Sequence, residues 1–219
     1  MFKAVLFDMD GLMLDTEPIT IKAKVEEGKK IGLPITEEMV KHTIGMSQRF
    51  VDEYFKSFFG EKYNHSYFKN KRREYLFDFM EQNGLPLKKG LIELLEYLKE
   101  NNIKVAIVTS STKEIIEQYK KYGNVFSYFP IIVTGDEVKE GKPSPDVYLH
   151  ASSKVGVDPK YCLVLEDSKN GVISGSKAGM TVCMIPDLII PDDEVKSFNP
   201  TILNSLLDVI SFIKEKNNL

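Results

Sequence analysis

The stretch Ala4–Thr16, AVLFDMDGLMLDT, decides the fold. Residues Ala4–Phe7 are apolar without a polar alternation, and they run directly into Asp8-Met9-Asp10-Gly11 and then Asp15-Thr16. An unbroken short apolar run is the mark of a strand covered on both faces, as in a parallel sheet. Four further runs of the same kind follow at Val105–Val108, Ile131–Val133, Cys162–Leu165 and Val182–Ile185. Between them lie helical patterns. Ile92–Leu98 repeats apolar residues at helical spacing, and Lys113–Tyr122 follows a Ser/Thr-rich turn. In PSPDVYLHASSKVG, Ser144 is expected to cap a helix with Pro145 in its first position. Ser168–Ala178 should end at Gly179, and Leu203–Lys216 reads as a closing amphipathic helix. This alternation predicts an α/β fold with a doubly wound parallel sheet.

The interval between the first and second strands is too long for one crossover. It contains helical patterns at Pro18–Lys30, Thr36–Thr43, Gln48–Phe58 and Ser66–Gln82, and no strand. We therefore expect an inserted all-helical domain over residues 16–83, with the α/β core formed by 1–15 and 84–219. Tyr54, Phe55, Phe58, Phe59, Tyr67, Phe68, Tyr75, Phe77 and Phe79 are read mostly as the core of that insert. Lys69, Lys71, Arg72 and Arg73 are read as a solvated helix face, with a substrate-facing Lys71 or Arg72 as the minority reading.

Composition excludes several classes. The 219 residues suffice for a sizeable core. With 42% hydrophobic and 28% charged residues the chain is neither collagen, coiled coil nor a disordered tail. A net charge of −3 favours neither nucleic acid nor an acidic membrane surface. No apolar run approaches the ~18 residues of a membrane span, and MFKAVLFDMDG lacks a signal-peptide layout. Cys162 and Cys183 sit in apolar runs and read as buried thiols of a reducing compartment, so the expected location is cytoplasmic. His42, His65 and His150 are scattered, which argues against a histidine metal site.

In open parallel sheets the chemistry lies beyond the carboxyl ends of the strands. There stand Asp8 and Asp10, Thr109-Ser110-Ser111, Lys142, and Glu166-Asp167-Ser168. Clustered carboxylates need a cation, and all-oxygen ligands select a hard one such as Mg²⁺. A lysine and hydroxyls beside it suit a phosphate group.

DMDGLMLDT (Asp8–Thr16), VTSS (Val108–Ser111), GKPSPD (Gly141–Asp146) and LEDSKNG (Leu165–Gly171) resemble the four motifs of the haloacid dehalogenase superfamily, in order and spacing across essentially the whole chain. The insert is similar to the helical cap of the branch containing β-phosphoglucomutase and many small-metabolite phosphatases. The resemblance implies a Rossmann-like core and a Mg²⁺-dependent aspartyl-phosphate mechanism. Asp8 would be the nucleophile and Asp10 the acid and base. Thr109 and the Ser110 amide would hold phosphoryl oxygens, and Lys142 would neutralise charge. Asp8, the main-chain carbonyl of Asp10 and Asp167 would hold the metal. Glu166 would coordinate as well or orient water behind it. Gly45-Met46-Ser47-Gln48 resembles the cap loop that reads the leaving group, and Thr16 is a hinge or substrate-contact candidate. Ser111 could bind phosphate or merely cap a helix, and Gly171 and Gly175 are read as packing devices.

Two departures bear on the reaction. β-Phosphoglucomutases carry a histidine where this chain has Thr20, and an arginine where it has Gln48. Arg49 is one residue late, a turn of about 100° on a helix. Both losses favour a phosphatase acting on a sugar, polyol or nucleoside phosphate over a mutase. A non-catalytic binding or regulatory protein on the same scaffold is the reading from a different class, but no member of the catalytic set is missing. The expected partner is a small phosphorylated metabolite, with no nucleic acid polymer and no membrane. A site enclosed by core and cap needs no second subunit, so a monomer is compatible.

Overall fold

The computed structural model describes residues 1–44, 48–187 and 191–217. The chain forms two compact units, Met1–Asp15 with Leu87–Leu219, and Thr16–Pro86.

The first unit is a sheet of β1 (Ala4–Phe7), β2 (Lys104–Val108), β3 (Ile131–Val133), β4 (Cys162–Glu166), β5 (Thr181–Met184) and β6 (Thr201–Ile202). All pairings are parallel, in the order β3-β2-β1-β4-β5-β6. β1 is central, with Phe7 in register with Ile107 on one side and Leu165 on the other. Strand order reverses between β1 and β4. The gap at their carboxyl ends is the crevice where doubly wound sheets bind ligands. β6 has no counterpart among the apolar runs of the sequence, because a strand of two residues leaves no pattern to read.

The helices of the second unit are α1 (Glu17–Lys30), α2 (Glu37–His42), α3 (Gln48–Phe59) and α4 (His65–Asn83). Those of the first are α5 (Leu91–Glu100), α6 (Lys113–Tyr119), α7 (Asp146–Val155), α8 (Lys169–Lys177), α9 (Asp193–Ser197) and α10 (Leu206–Asn217). α7 begins one residue later than the sequence suggests: Pro145 occupies the N-cap position and Ser144 does not cap. Ser168 caps α8 by accepting a hydrogen bond from the Gly171 amide. Gly179, with φ of 73°, follows the end of α8.

One face of the sheet packs Ala4, Leu6, Val108 and Val164 against Val147, Tyr148 and Ala151 of α7 and Val172 of α8. α5 packs against β2 and α10. Gly175 lets α8 approach closely, since a Cβ there would stand 3.1 Å from Val164 and Val182. Cys162 and Cys183 are buried free thiols.

In the helical unit, α1 and α4 are tied by a buried carboxylate. Glu27 accepts hydrogen bonds from Lys30 at 2.5 Å and Tyr67 at 2.9 Å, so its burial is compensated. Val51, Phe55, Tyr63 and Phe68 form the core of this unit with Ile21, Leu33, Ile35 and Val40. Phe58 and Phe79 are exposed rather than buried, at 59% and 36%. An aromatic on a helix follows the helical phase, and theirs points to solvent.

Leu6 is fully buried at the centre of the sheet. Leu6→Ala should lower the unfolding free energy by about 3 kcal/mol, read from the denaturant midpoint at unchanged slope.

Candidate active site

Asp8 ends the central strand, its amide donating to the Leu165 carbonyl at 3.0 Å. The turn that follows closes on itself: the amides of Met13 and Leu14 donate to the Met9 carbonyl and that of Gly11 to Leu14. Gly11 has φ of 90°, and a Cβ there would lie 2.2 Å from Asp167 Oδ2. Only glycine lets the β1 turn meet the acid that follows β4.

Asp8, Glu166 and Asp167 each offer an oxygen within 4.8 Å of the others. All three are buried. One cation balances them. The Lys142 ammonium, its side chain 5% exposed, donates to Asp8 Oδ1 at 2.5 Å, Glu166 Oε1 at 2.6 Å and the Val108 carbonyl at 3.0 Å. Burial opposes the charge on Lys142, but Asp8 and Glu166 outweigh it and hold the amine above the usual lysine range. Burial pushes Asp8 up to about 7, with Lys142 opposing and Glu166 and Asp10 adding to the rise. Four acids against one lysine leave negative charge uncompensated, and an oxygen-only donor set of this kind fits a hard divalent cation.

Glu166 is fully buried. Its Oε1 accepts from Lys142 and from Tyr148 Oη at 2.7 Å, and its Oε2 from the Ser168 amide at 3.3 Å and hydroxyl at 3.0 Å. Both oxygens therefore have two donors each. Gly171 makes room for it, since a Cβ would fall 1.8 Å from the Glu166 carboxyl carbon.

Asp10 accepts from Ser111 Oγ at 3.1 Å and faces Tyr119 Oη at 3.5 Å. Thr109 is buried at the end of β2, its Oγ1 accepting from the Ser111 amide at 3.0 Å. Ser110 is exposed beside it. So Asp8, Asp10, Thr109, Ser110, Lys142, Glu166 and Asp167 all lie at the carboxyl edge of the sheet. Ser111, read from sequence as phosphate ligand or cap, holds the Asp10 carboxylate. Thr16, buried, and Gln48, the first residue of α3, belong to the helical unit. Gly45, Met46 and Ser47 lie outside the described residues. Tyr148 and Tyr119 were not visible from sequence, and Ser168, placed there beside Glu166 and Asp167, had no role assigned to it. For Tyr148 the one available signal is that a buried phenol requires a partner.

The crossings between units are fastened on the core side. Lys88 bridges Asp15 and Asp187 at 2.8 Å each, and its amide donates to the Met13 carbonyl.

Residues 5–185 match the family model described as haloacid dehalogenase-like hydrolase. The chain is 32% identical to the phosphorylated carbohydrates phosphatase of Thermotoga maritima, covering 81% of this chain and 82% of that protein. It is 34% identical to the mitochondrial (DL)-glycerol-3-phosphatase 1 of Arabidopsis thaliana, covering 93% and 70%. The β-phosphoglucomutase of Clostridium difficile shares the fold, with a TM-score of 0.75 at 22% identity over 100% of this chain and 98% of that one.

Tyr148→Phe removes one donor from a buried carboxylate. It should cost about 2 kcal/mol, measured by denaturant unfolding. Gly171→Ala should cost more, because the Glu166 side chain it displaces is held from both oxygens.

Proposed function

The chain belongs to the haloacid dehalogenase-like hydrolases, as a phosphatase, and we propose that it hydrolyses a small phosphorylated sugar, polyol or nucleoside through a phosphoryl group carried on Asp8. The observation that carries this is the buried Asp8 carboxylate, held by Lys142 at the switch point of the sheet beside Glu166 and Asp167.

An Asp8 oxygen attacks phosphorus and the bond to the leaving oxygen breaks. Asp10, two residues on and oriented by Ser111, gives the leaving oxygen its proton. Water then attacks the aspartyl-phosphate, Asp10 takes a proton from it, and inorganic phosphate departs with Asp8 regenerated. Thr109 and the Ser110 amide hold phosphoryl oxygens. Lys142 keeps its charge because two carboxylates flank it, and it faces Asp8 throughout.

Asp8, Asp167 and the main-chain carbonyl of Asp10 would hold Mg²⁺. Glu166 belongs to the same acidic cluster, yet its four accepted hydrogen bonds suit it better to anchoring Lys142 than to direct coordination. Bound Mg²⁺ supplies neutralisation of the negative charge that phosphate and carboxylates bring together.

Relatives named for phosphorylated carbohydrates and glycerol 3-phosphate support the substrate class. Thr20 and Gln48, in place of the histidine and arginine of mutases, support water as the phosphoryl acceptor. Gln is neutral and does not replace a bidentate arginine contact to a second phosphate. Two buried free thiols fit a reducing cytoplasmic setting, and no described helix is long and apolar enough to cross a membrane.

Asp8→Asn should lower kcat on para-nitrophenyl phosphate at least ~10³-fold, about 4 kcal/mol in barrier. Turnover within tenfold of the wild type would reject Asp8 as nucleophile. Activity should be lost in EDTA and restored by Mg²⁺, whereas Ca²⁺, with its looser shell, should inhibit. With β-glucose 1-phosphate, any reaction should release inorganic phosphate. Stoichiometric formation of glucose 6-phosphate would show a mutase instead.

A further inference from the structure

Two hydroxyls far away in sequence meet the Asp10 carboxyl, one at each oxygen. Oδ2 accepts from Ser111 Oγ at 3.1 Å, and Oδ1 faces Tyr119 Oη at 3.5 Å. The two donors sit differently. Ser111 lies half-buried in the turn after β2, whereas Tyr119 is the last residue of α6 and only 4% exposed. Ile116 and Tyr119 are the buried residues of α6, three apart and so on one face. Helical phase thus turns position 119 inward. A phenylalanine ring would satisfy that burial as well. The hydroxyl adds a group whose loss of water is offset only by a polar partner, and it stands against the Asp10 carboxyl.

A second contact matters because of what Asp10 has to do. A carboxyl held at one oxygen can still swing its plane about that oxygen, and a contact at the other oxygen stops the swing. Proton transfer depends on such placement, since a misplacement of ~1 Å can cost ~10²-fold in rate. The Tyr119 contact is long, as hydrogen bonds around a general acid often are before substrate binds, and they tighten in the complex. Each carboxyl oxygen accepts in two directions. The two hydroxyls therefore leave a direction open for the proton that is passed on.

We propose that Tyr119 is a positioning residue for the proton transfer: its buried hydroxyl backs Asp10 Oδ1 while Ser111 holds Oδ2, so the carboxyl meets the leaving oxygen in one orientation. This rests on the acid role given to Asp10 above. In that step the Asp10 O–H bond breaks as the bond from phosphorus to the leaving oxygen breaks. The proton goes to the leaving oxygen, and the electron pair of the O–H bond stays on Asp10. Both hydroxyls then donate to the carboxylate so formed, where a hydrogen bond is stronger than to the neutral acid. Tyr119 exchanges no proton itself and acts through Asp10.

The test compares two probes of nearly the same shape, para-nitrophenyl phosphate and phenyl phosphate, by kcat/KM in the full-length protein. Nitrophenolate leaves readily as an anion, whereas the more basic phenolate needs the acid. Asp10→Ala should therefore widen the gap between the probes by ~10²-fold. Tyr119→Phe keeps the ring, removes the hydroxyl, and should widen the gap about tenfold. Tyr119→Leu loses the same hydroxyl with different packing and should widen it alike, whatever the denaturant midpoints of the two variants. Packing damage alone would lower both probes together. In an Asp10→Ala background, Tyr119→Phe should widen the gap no further, because the two residues act as one unit. If Asp10→Ala widens the gap and the folded Tyr119 variants do not, the proposal fails and the role of Asp10 stands. An undiminished Tyr119→Phe effect in the Asp10→Ala background overturns it as well. If Asp10→Ala leaves the gap unchanged, the acid role falls and takes the proposal with it.

Discussion

A single buried ammonium holds the carboxyl edge of the sheet together. Lys142 spans Asp8, at the end of β1, and Glu166, at the end of β4, and also donates to the end of β2 at Val108. Three adjacent parallel strands thereby converge on one charge. Burial raises the Asp8 carboxyl first, and the neighbouring Glu166 and Asp10 add to that rise while Lys142 opposes it. The lysine stays charged because burial, which would neutralise it, is outweighed by the two acids flanking it. Truncating Lys142 would leave two buried carboxylates without their counterpart, which costs more than the pairs contribute.

The sheet topology makes that convergence available. Because β1 is central and the chain turns one way to β2 and the other way to β4, the loops after β1 and β4 diverge to opposite faces and leave a crevice. Two glycines then set how tightly the crevice closes. Gly11 admits Asp167 against the β1 turn, and Gly171 admits Glu166 against the first turn of α8. Neither glycine supplies chemistry, but each fixes where a carboxylate can stand. Behind them the Glu166 carboxylate is fastened by Tyr148 and Ser168, so the ammonium it anchors has little freedom to move.

The helical unit follows a different economy. It buries Glu27 and compensates it with Lys30 and Tyr67, which is how a small helical core tolerates a charge. The Tyr63 hydroxyl and His65 Nδ1 have no hydrogen-bond partner among the described residues. Natural cores pair most of their buried polar atoms, and Glu27 follows that rule.

Much of this protein was legible in the sequence. Short unalternating runs of Val, Ile and Leu, recurring between helical patterns, read as strands covered on both faces, and the acids and hydroxyls placed immediately after them then gather at one edge. That logic is local, and it placed five strands, the helical insert and the acids and hydroxyls that the structure finds at the carboxyl edge of the sheet. The tertiary structure alone decided matters that depend on partners distant in sequence. β6 exists because β5 offers it an edge, its two residues carrying no pattern of their own. Phe58 and Phe79 are exposed because helical phase, not aromatic character, chooses the buried face. Whether Glu166 serves the metal or the lysine turns on Tyr148 and Ser168, which reach it from α7 and from the start of α8. In the helical unit, a cavity lined by Lys24, Tyr63 and His65 draws on α1 and α4 and on the turn between α3 and α4. Which of its donors stay unpaired after packing, Tyr63 Oη and His65 Nδ1 among the described residues, is a property that no residue possesses by itself.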